Sequence, residues 1–296
     1  MKSIRRGALL ALLLGLPGLI YYALRSQPPT LRILDIADDR FAGMLAGKTI
    51  VQLTDIHLSC NSTRAMQRLL HALDRLKPDL IFLTGDYVPW YGEFADYEMV
   101  WRFLEQLRAP LGVYAVMGDA DYTFPRQSCA FCHRPNSALP PERHRVRFLR
   151  DETLTLHING QPLQIAGLDC GPRMQPQLEK VRNFRFDRPT LFISHTSLAF
   201  YPVPDNRPVI VLSGDTHGGL LPMPKWFWQR FKFKPDPEHI YGFFQEGEKM
   251  LYVSSGTGNS SARIRIWPPP EMVVIRFIPE NLAGDRRVIQ KRTRLP

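Results

Sequence analysis

Seven side chains along this 296-residue chain are of types that hold divalent metal ions, and they occur in five short motifs. The motifs are Asp55-Ile56-His57, Gly85-Asp86, Gly118-Asp119-Ala120-Asp121, Ser194-His195 and Gly214-Asp215-Thr216-His217-Gly218-Gly219. Asp55 and His57 are two apart, so just past a strand end both can converge on one ion. Asp86 can bridge two ions through its two oxygens, while Asp119, His195, Asp215 and His217 supply further ligands. A metal pair held this way acidifies a shared water for attack on phosphorus and neutralises charge on the phosphate oxygens. One Asp or Gly-Asp at a strand end is more often a turn or a cap. The ordered set of seven is what points to hydrolysis of phosphate esters.

These residues need elements to aim them, and the apolar pattern supplies them. Runs at 49–54 (TIVQLT), 79–84 (DLIFLT), 112–117 (GVYAVM), 191–194 (LFIS) and 209–213 (VIVLS) each end where a motif begins. Short apolar runs bounded by turn residues read as buried strands, and the carboxyl ends of such strands are where α/β sheets build their sites. Met66, Leu69, Leu70, Leu73 and Leu76 recur at helical spacing, with Ser62 or Thr63 as N-cap and Pro78 past the end. A second helix is expected around 95–108. Alternating stretches at Leu154–Ile158, Leu163–Ile165 and Met272–Ile278 read as strands of a mixed sheet. The expected organisation is an anchor and linker over 1–30, a domain over 31–280, and a solvated basic tail over 281–296. Within the domain, 122–145 reads as a Cys-containing insertion and 222–238 as an aromatic-basic segment.

The net charge is +10 and the pI is near 9.6, a balance that suits anionic partners. Lys2, Arg5 and Arg6 precede an apolar run from Ala8 to Leu24, with Tyr21 and Tyr22 near its end. Positive flank, apolar length and interfacial aromatics read as an uncleaved signal anchor, with cleavage as the alternative. The positive-inside rule then places the domain outside the cytoplasm, on the periplasmic or extracellular side. The residues around Arg5-Arg6 match a twin-arginine signal poorly. Export makes a nucleic-acid partner unexpected and a membrane surface the better reading of the basic charge. In KWFWQRFKFK (225–234), aromatics and cations interleave. That stretch suits a lipid–water interface, and equally an amphipathic segment whose rings pack on the domain.

The motifs resemble those of the calcineurin-like metallophosphoesterases, whose pattern runs D-x-H, G-D, G-N-H-D/E, a lone His and G-H-x-H. The resemblance spans nearly all of residues 48–278. It looks closest to the membrane-anchored bacterial branch of UDP-2,3-diacylglucosamine pyrophosphatase-like phosphodiesterases. GDTHGG (214–219), YVSSGTGNSS (252–261) and PPPEMVVIRF (268–277) are similar to later segments of that branch. The resemblance implies a four-layer α/β/β/α sandwich, here after an N-terminal membrane helix. It also implies one metal held by Asp55, His57, Asp86 and His217, and another by Asp86, Asp119, His195 and Asp215.

Three positions depart from that pattern. Asp119 stands where the family has Asn, Asp215 where it has the first His of G-H-x-H, and Ala120 where it has a His that assists at the phosphate. Every metal-ligand place keeps a capable side chain, but the second position becomes harder, favouring Mg, Mn or Fe over Zn. Four carboxylates formally neutralise two divalent ions, so a phosphate anion is attracted less and the bound water is less acidic. A trivalent ion in one position restores the surplus. Loss of the histidine removes a proton donor of a kind worth ~10²–10⁴ in rate. His71, His133 or His144 could have taken over that role.

Cys129, Cys132 and His133 form C-x-x-C-H, the c-type haem attachment pattern. In an exported chain a disulfide ranks first, within this pair or with Cys60 and Cys170; covalent haem ranks second and a zinc clip third. Two function classes stand at this point. One is a membrane-anchored, metal-dependent phosphoesterase acting on a phosphodiester or pyrophosphate, including that of a lipid. The other is a weakened or inactive metal- or haem-binding descendant that keeps the fold.

Overall fold

Two β-sheets lie face to face, and each sends parallel strands toward the same edge. The computed structural model describes residues 27–90, 92–122, 142–171, 178–231, 236–258, 265–284 and 286–296. The charged and apolar segment over 1–26, and Cys129, Cys132 and His133 with most of the insertion, lie outside the described residues. Among the described residues no helix is long and apolar enough to cross a membrane.

The first sheet has seven strands: β1 (Thr30–Ala37), β2 (Ile50–Leu53), β3 (Leu80–Thr84), β4 (Val113–Val116), β5 (Arg147–Phe148), β12 (Glu271–Ile278) and β13 (Val288–Arg294). Their order is β13-β1-β12-β2-β3-β4-β5, with β2, β3, β4 and β5 parallel. The second has six: β6 (Glu152–Ile158), β7 (Gln161–Leu168), β8 (Thr190–Ser194), β9 (Val209–Ser213), β10 (Gly242–Glu246) and β11 (Lys249–Val253), ordered β10-β11-β9-β8-β7-β6. Strands β2, β3, β8 and β9 are buried along their whole length, which is why their sequences read as continuous apolar runs rather than alternating ones.

Side chains such as Phe82, Val116, Ile165, Ile193, Leu212 and Tyr252 fill the space between the sheets. Helices α2 (Thr63–Leu76) and α3 (Phe94–Leu104) cover the outer face of the first sheet. Met66, Leu69 and Leu73 point inward at helical spacing, and Lys77 ends α2 in a left-handed turn before Pro78. Ser62 occupies the N-cap without a capping bond; its hydroxyl accepts from the Ser59 amide instead. A short α1 (Asp39–Leu45) packs on the intersheet core.

Two expectations need correction. Among the described residues, the outer face of the second sheet carries two 3-10 helices, Leu178–Asn183 and Ser197–Phe200, where the sandwich predicts α-helices. They bury Val181, Ala199 and Phe200 in runs of six and four residues, too short to leave a 3.6-residue pattern to read. The basic tail is no tail over 288–294, because β13 pairs antiparallel with β1 along seven residues. Its Lys and Arg side chains suit an edge strand that must not recruit other chains, and Arg292 reaches the buried Glu271 carboxylate at 3.1 Å.

Candidate metal centre

Every candidate ligand leaves the carboxyl end of a buried strand. Asp55 and His57 follow β2, Asp86 follows β3, Asp119 follows β4, His195 follows β8, and Asp215 and His217 follow β9. The loop after β2 is zipped to the loop after β3: the amides of Asp55, His57 and Leu58 donate to the carbonyls of Gly85, Asp86 and Tyr87. Gln52, buried between the sheets, donates to Thr84 Oγ1 and to the Ser213 carbonyl, tying β2, β3 and β9 into one frame.

The backbone there is strained. Asp55, His57, Asp86, Asp215 and His217 all have positive φ, from 46° to 71°. That region costs non-glycine residues of order 1–3 kcal/mol each and persists only where the surroundings over-determine it. Gly118 shows how tight the packing is, since a Cβ there would collide with the Asp86 carboxylate.

Five of the seven expected side chains form the centre. Asp55, His57 and His217 bring ligand atoms within 4.8 Å of one another, as do Asp55, Asp86 and His195. Asp86 faces both ways, with Oδ1 3.4 Å from His195 Nε2 and Oδ2 3.6 Å from His57 Nε2. The His57 and His217 Nε2 atoms are 3.2 Å apart, and His217 Nε2 is 3.5 Å from Asp55 Oδ1. His195 Nε2 is buried with no hydrogen-bond partner. Converging ring nitrogens and carboxylate oxygens, one of them an orphaned buried nitrogen, are what a cation would satisfy, so these residues fit a metal pair.

Asp119 and Asp215 sit differently. Asp119 Oδ1 is 3.8 Å from His195 Nε2, and its side chain is 28 % exposed against 8 % for Asp86. Asp215 brings its amide to 3.2 Å from both oxygens of Asp55, and its carboxylate charge acts on His195. Asp55 is therefore shared by both groups, where the family pattern gives that place to Asp86 alone. The amide of Ala120 donates to Asp86 Oδ1 at 3.0 Å, so position 120 contributes a backbone donor and no side-chain acid.

Outer hydrogen bonds orient the rings. His57 Nδ1 meets the Val88 carbonyl at 2.9 Å and His195 Nδ1 meets the Thr84 carbonyl at 2.8 Å. A carbonyl accepts, so each Nδ1 carries a proton and each Nε2 is left facing the carboxylates. His217 is oriented otherwise. The buried Arg265 guanidinium lies 3.2 Å from His217 Nδ1 and also donates to the Ser255 carbonyl. A guanidinium only donates, so here Nδ1 of His217 accepts and its Nε2 carries the ring proton toward His57 Nε2, a proton that must move before Nε2 can ligate an ion. Burial lowers the Arg265 pKa to about 10, against the pull of Asp55 and Glu271.

Charge is concentrated here. Burial alone would lower His195, but Asp86, Asp55, Asp215 and Asp119 together push it well above the usual histidine range. Burial pushes the Asp86 carboxyl well above its ordinary value, and Asp119, Asp121 and Asp55 add to that. Burial lowers His57. Without a cation the centre therefore holds protons that an ion would displace.

Asp121 and Arg265 were given no role from sequence. The Asp121 carboxylate accepts from the amides of Asp86, Tyr87 and Gly118 at 2.6 to 2.8 Å, and so braces the loops carrying Asp86 and Asp119. Its place two residues after Asp119 was the available signal; Arg265 had none. The alternative acids lie elsewhere. His71 lines a groove of about 1080 Å³ with Ile81 and Val113, at the opposite ends of β3 and β4. His144 packs on the rings of Trp101 and Phe148.

Cys60 and Cys170 are unbridged, the first exposed and the second buried, which counts against the alternative in which Cys129 and Cys132 pair with them. Burial and nearby carboxylates push the Cys170 thiol strongly up, so it stays protonated. The aromatic-basic segment packs on the domain only in part. Over α4 (Lys225–Phe231), Trp228 is buried while Trp226 and Phe231 are 61 % and 49 % exposed.

The calcineurin-like phosphoesterase profile matches residues 48–256. The UDP-2,3-diacylglucosamine pyrophosphatase LpxG of Chlamydia trachomatis is 27 % identical over 80 % of this chain and 85 % of its own. The uncharacterized metallophosphoesterase YkuE of Bacillus subtilis is also 27 % identical, over 79 % of this chain and 80 % of its own. A Bos taurus transmembrane protein with a metallophosphoesterase domain is 26 % identical over 81 % of this chain and 55 % of its own.

Proposed function

The chain belongs to the calcineurin-like phosphoesterase family, and on that premise we propose that it is a metal-dependent hydrolase of a phosphodiester or pyrophosphate bond in an amphiphilic, membrane-derived substrate. The observation that carries the reading is the Asp86 carboxylate, whose two oxygens face two different histidines, as a carboxylate shared by two ions must. Asp55, His57, Asp86 and His217 would hold one ion, and Asp55, Asp86 and His195 the other, with Asp119 and Asp215 at its open side. When bound, the ions supply Lewis acidity, acidifying a water and neutralising phosphate oxygens.

The chain's own residues do the rest. The Val88 and Thr84 carbonyls hold the His57 and His195 rings in one tautomer, and the positive-φ loops keep the carboxylates from relaxing away. The carboxylate-rich second position favours Mn, Mg or Fe over Zn. With Ala120 at the place of the family's histidine, the enzyme suits a leaving group that departs without protonation. Residues 1–26 would anchor the domain at a membrane surface, outside the cytoplasm by their positive flank, and the transmembrane relative supports the membrane association.

The test is metal analysis of the purified protein together with turnover of bis(4-nitrophenyl) phosphate in Mn²⁺, Mg²⁺, Fe²⁺ and Zn²⁺. About two ions per chain and Mn²⁺-supported turnover are expected. Bound metal with no turnover under any ion would make the chain a metal-binding descendant instead. Less than one ion per chain would overturn the metal assignment as well.

A further inference from the structure

The loop that carries His217 does not end at the metal centre. Gly218, the next residue, lines a separate cavity of about 360 Å³, bounded also by Leu221, Met223, Trp228, Ile240 and Trp267. A Cβ on Gly218 would run into the Pro268 ring, which is part of the cavity wall, and one on Gly219 would lie 2.5 Å from the Trp228 ring. The loop is therefore pressed against the cavity on two sides.

The opposite wall is tied to the same histidine. Arg265 lies against His217, and the next two residues, Ile266 and Trp267, donate their amides to the Leu220 carbonyl. The Trp228 indole N–H is spent on the Met223 carbonyl, so the ring offers the cavity only apolar surface. Lys225 and Glu238, the charged residues of the wall, are paired with each other at 2.6 Å. At the mouth, Trp267 is 50 % exposed and Leu221 38 % exposed. A small, largely apolar cavity whose wall continues into a candidate anion-processing centre is built for a molecule with an apolar part joined to a charged one.

We propose that this cavity is a subsite for the hydrocarbon tail of the substrate, seating it on Leu221, Trp228 and Trp267 while the phosphorus lies at the His217 end. This deepens, and rests on, the phosphoesterase reading. It makes the chain selective for phosphate esters bearing an alkyl or acyl chain, through tail contacts rather than through the metals. Each buried methylene strengthens binding by up to about fourfold.

The test uses the full chain in phosphatidylcholine nanodiscs with Mn²⁺. Methyl phosphate and hexyl phosphate, both freely water-soluble, are titrated by calorimetry. Hexyl phosphate should bind at least about thirtyfold tighter than methyl phosphate. Leu221→Glu and Trp267→Glu, at the mouth of the cavity and first shown by thermal melting to fold, should each cut that preference about tenfold. Equal affinities for the two esters, no measurable binding of hexyl phosphate, or a preference that survives both substitutions would overturn the proposal. Turnover of bis(4-nitrophenyl) phosphate reads the other claim separately. A tail preference without turnover keeps the subsite and removes the phosphoesterase reading; turnover without a tail preference does the reverse.

Discussion

The two ends of the metal centre are built by different rules. At the His57–His217 end, ring nitrogens meet 3.2 Å apart above the fully buried Asp55, and strained loops leave the side chains nowhere else to go. At the other end, Asp119 is partly open to solvent, Asp215 offers the cluster its amide, and Ala120 offers only a backbone donor. One end is preorganised for a cation and the other has slack. Preorganised ligands resist substitution poorly, because a lost partner leaves a buried group uncompensated. Slack positions can change type and leave the fold intact, which is where this chain departs from its family's pattern.

The most severe way to probe the contrast is at Asp86, a carboxylate whose two oxygens face a histidine of each end. Asp86→Asn keeps the shape and removes the charge that two ions divide. Phosphodiesterase activity should fall by about 10³-fold or more, and bound metal should drop below two ions per chain. Retention of more than a tenth of the activity would mean that Asp86 is not the shared ligand.

Restoring the altered end should act in the opposite direction. Ala120→His combined with Asp215→His returns a proton donor and a nitrogen ligand, and should raise kcat on bis(4-nitrophenyl) phosphate by about 10²-fold. Because position 120 is buried, thermal melting must first show that the double variant folds. An unchanged kcat in a folded double variant would show that the slack end is not what limits the reaction. A smaller effect is expected from Asp119→Ala, which should weaken metal binding about tenfold, read by titration with Mn²⁺. His57→Ala should weaken it more, and equal losses would erase the distinction between the two ends.

Much of the preorganised end was legible in sequence. A strand buried on both faces reads as a bare apolar run, and its end is marked by the first Asp or His, as at Leu53 to Asp55 and Thr84 to Asp86. At the slack end residue type gave the ligand candidates but not their geometry: nothing in it tells that Asp215 brings its amide as well as its charge to the centre. The positive φ of five ligands carries no sequence signal, since aspartate and histidine do not announce a left-handed turn as glycine does. β13 was missed for another reason: its polar edge pattern gains meaning only from β1, more than 250 residues earlier in the chain. Arg265 is invisible for the same reason, since its partner His217 lies 48 residues away and belongs to another loop.

The smallest expected effect concerns pH. In the metal-free protein the folded-state pKa values of Asp86 and His195 are both raised, so the native state holds protons that the unfolded chain gives up. Stability from Asp86 is complete below its unfolded value near ~4 and is lost as pH rises through the raised folded value. For His195 the loss runs upward from ~6.5. His57, lowered by burial, works the other way and gains stability as pH rises toward ~6.5, but it is one group against two. A metal ion binds only the deprotonated ligands and so replaces what the protons supplied. The rise in Tm on adding Mn²⁺ should therefore be larger at pH 8 than at pH 5.5, by about 5 °C at concentrations well above Kd. An increment that is flat or shrinks with pH would mean that Asp86 and His195 do not share their protons' place with the metal, and the two ends would then be equally slack.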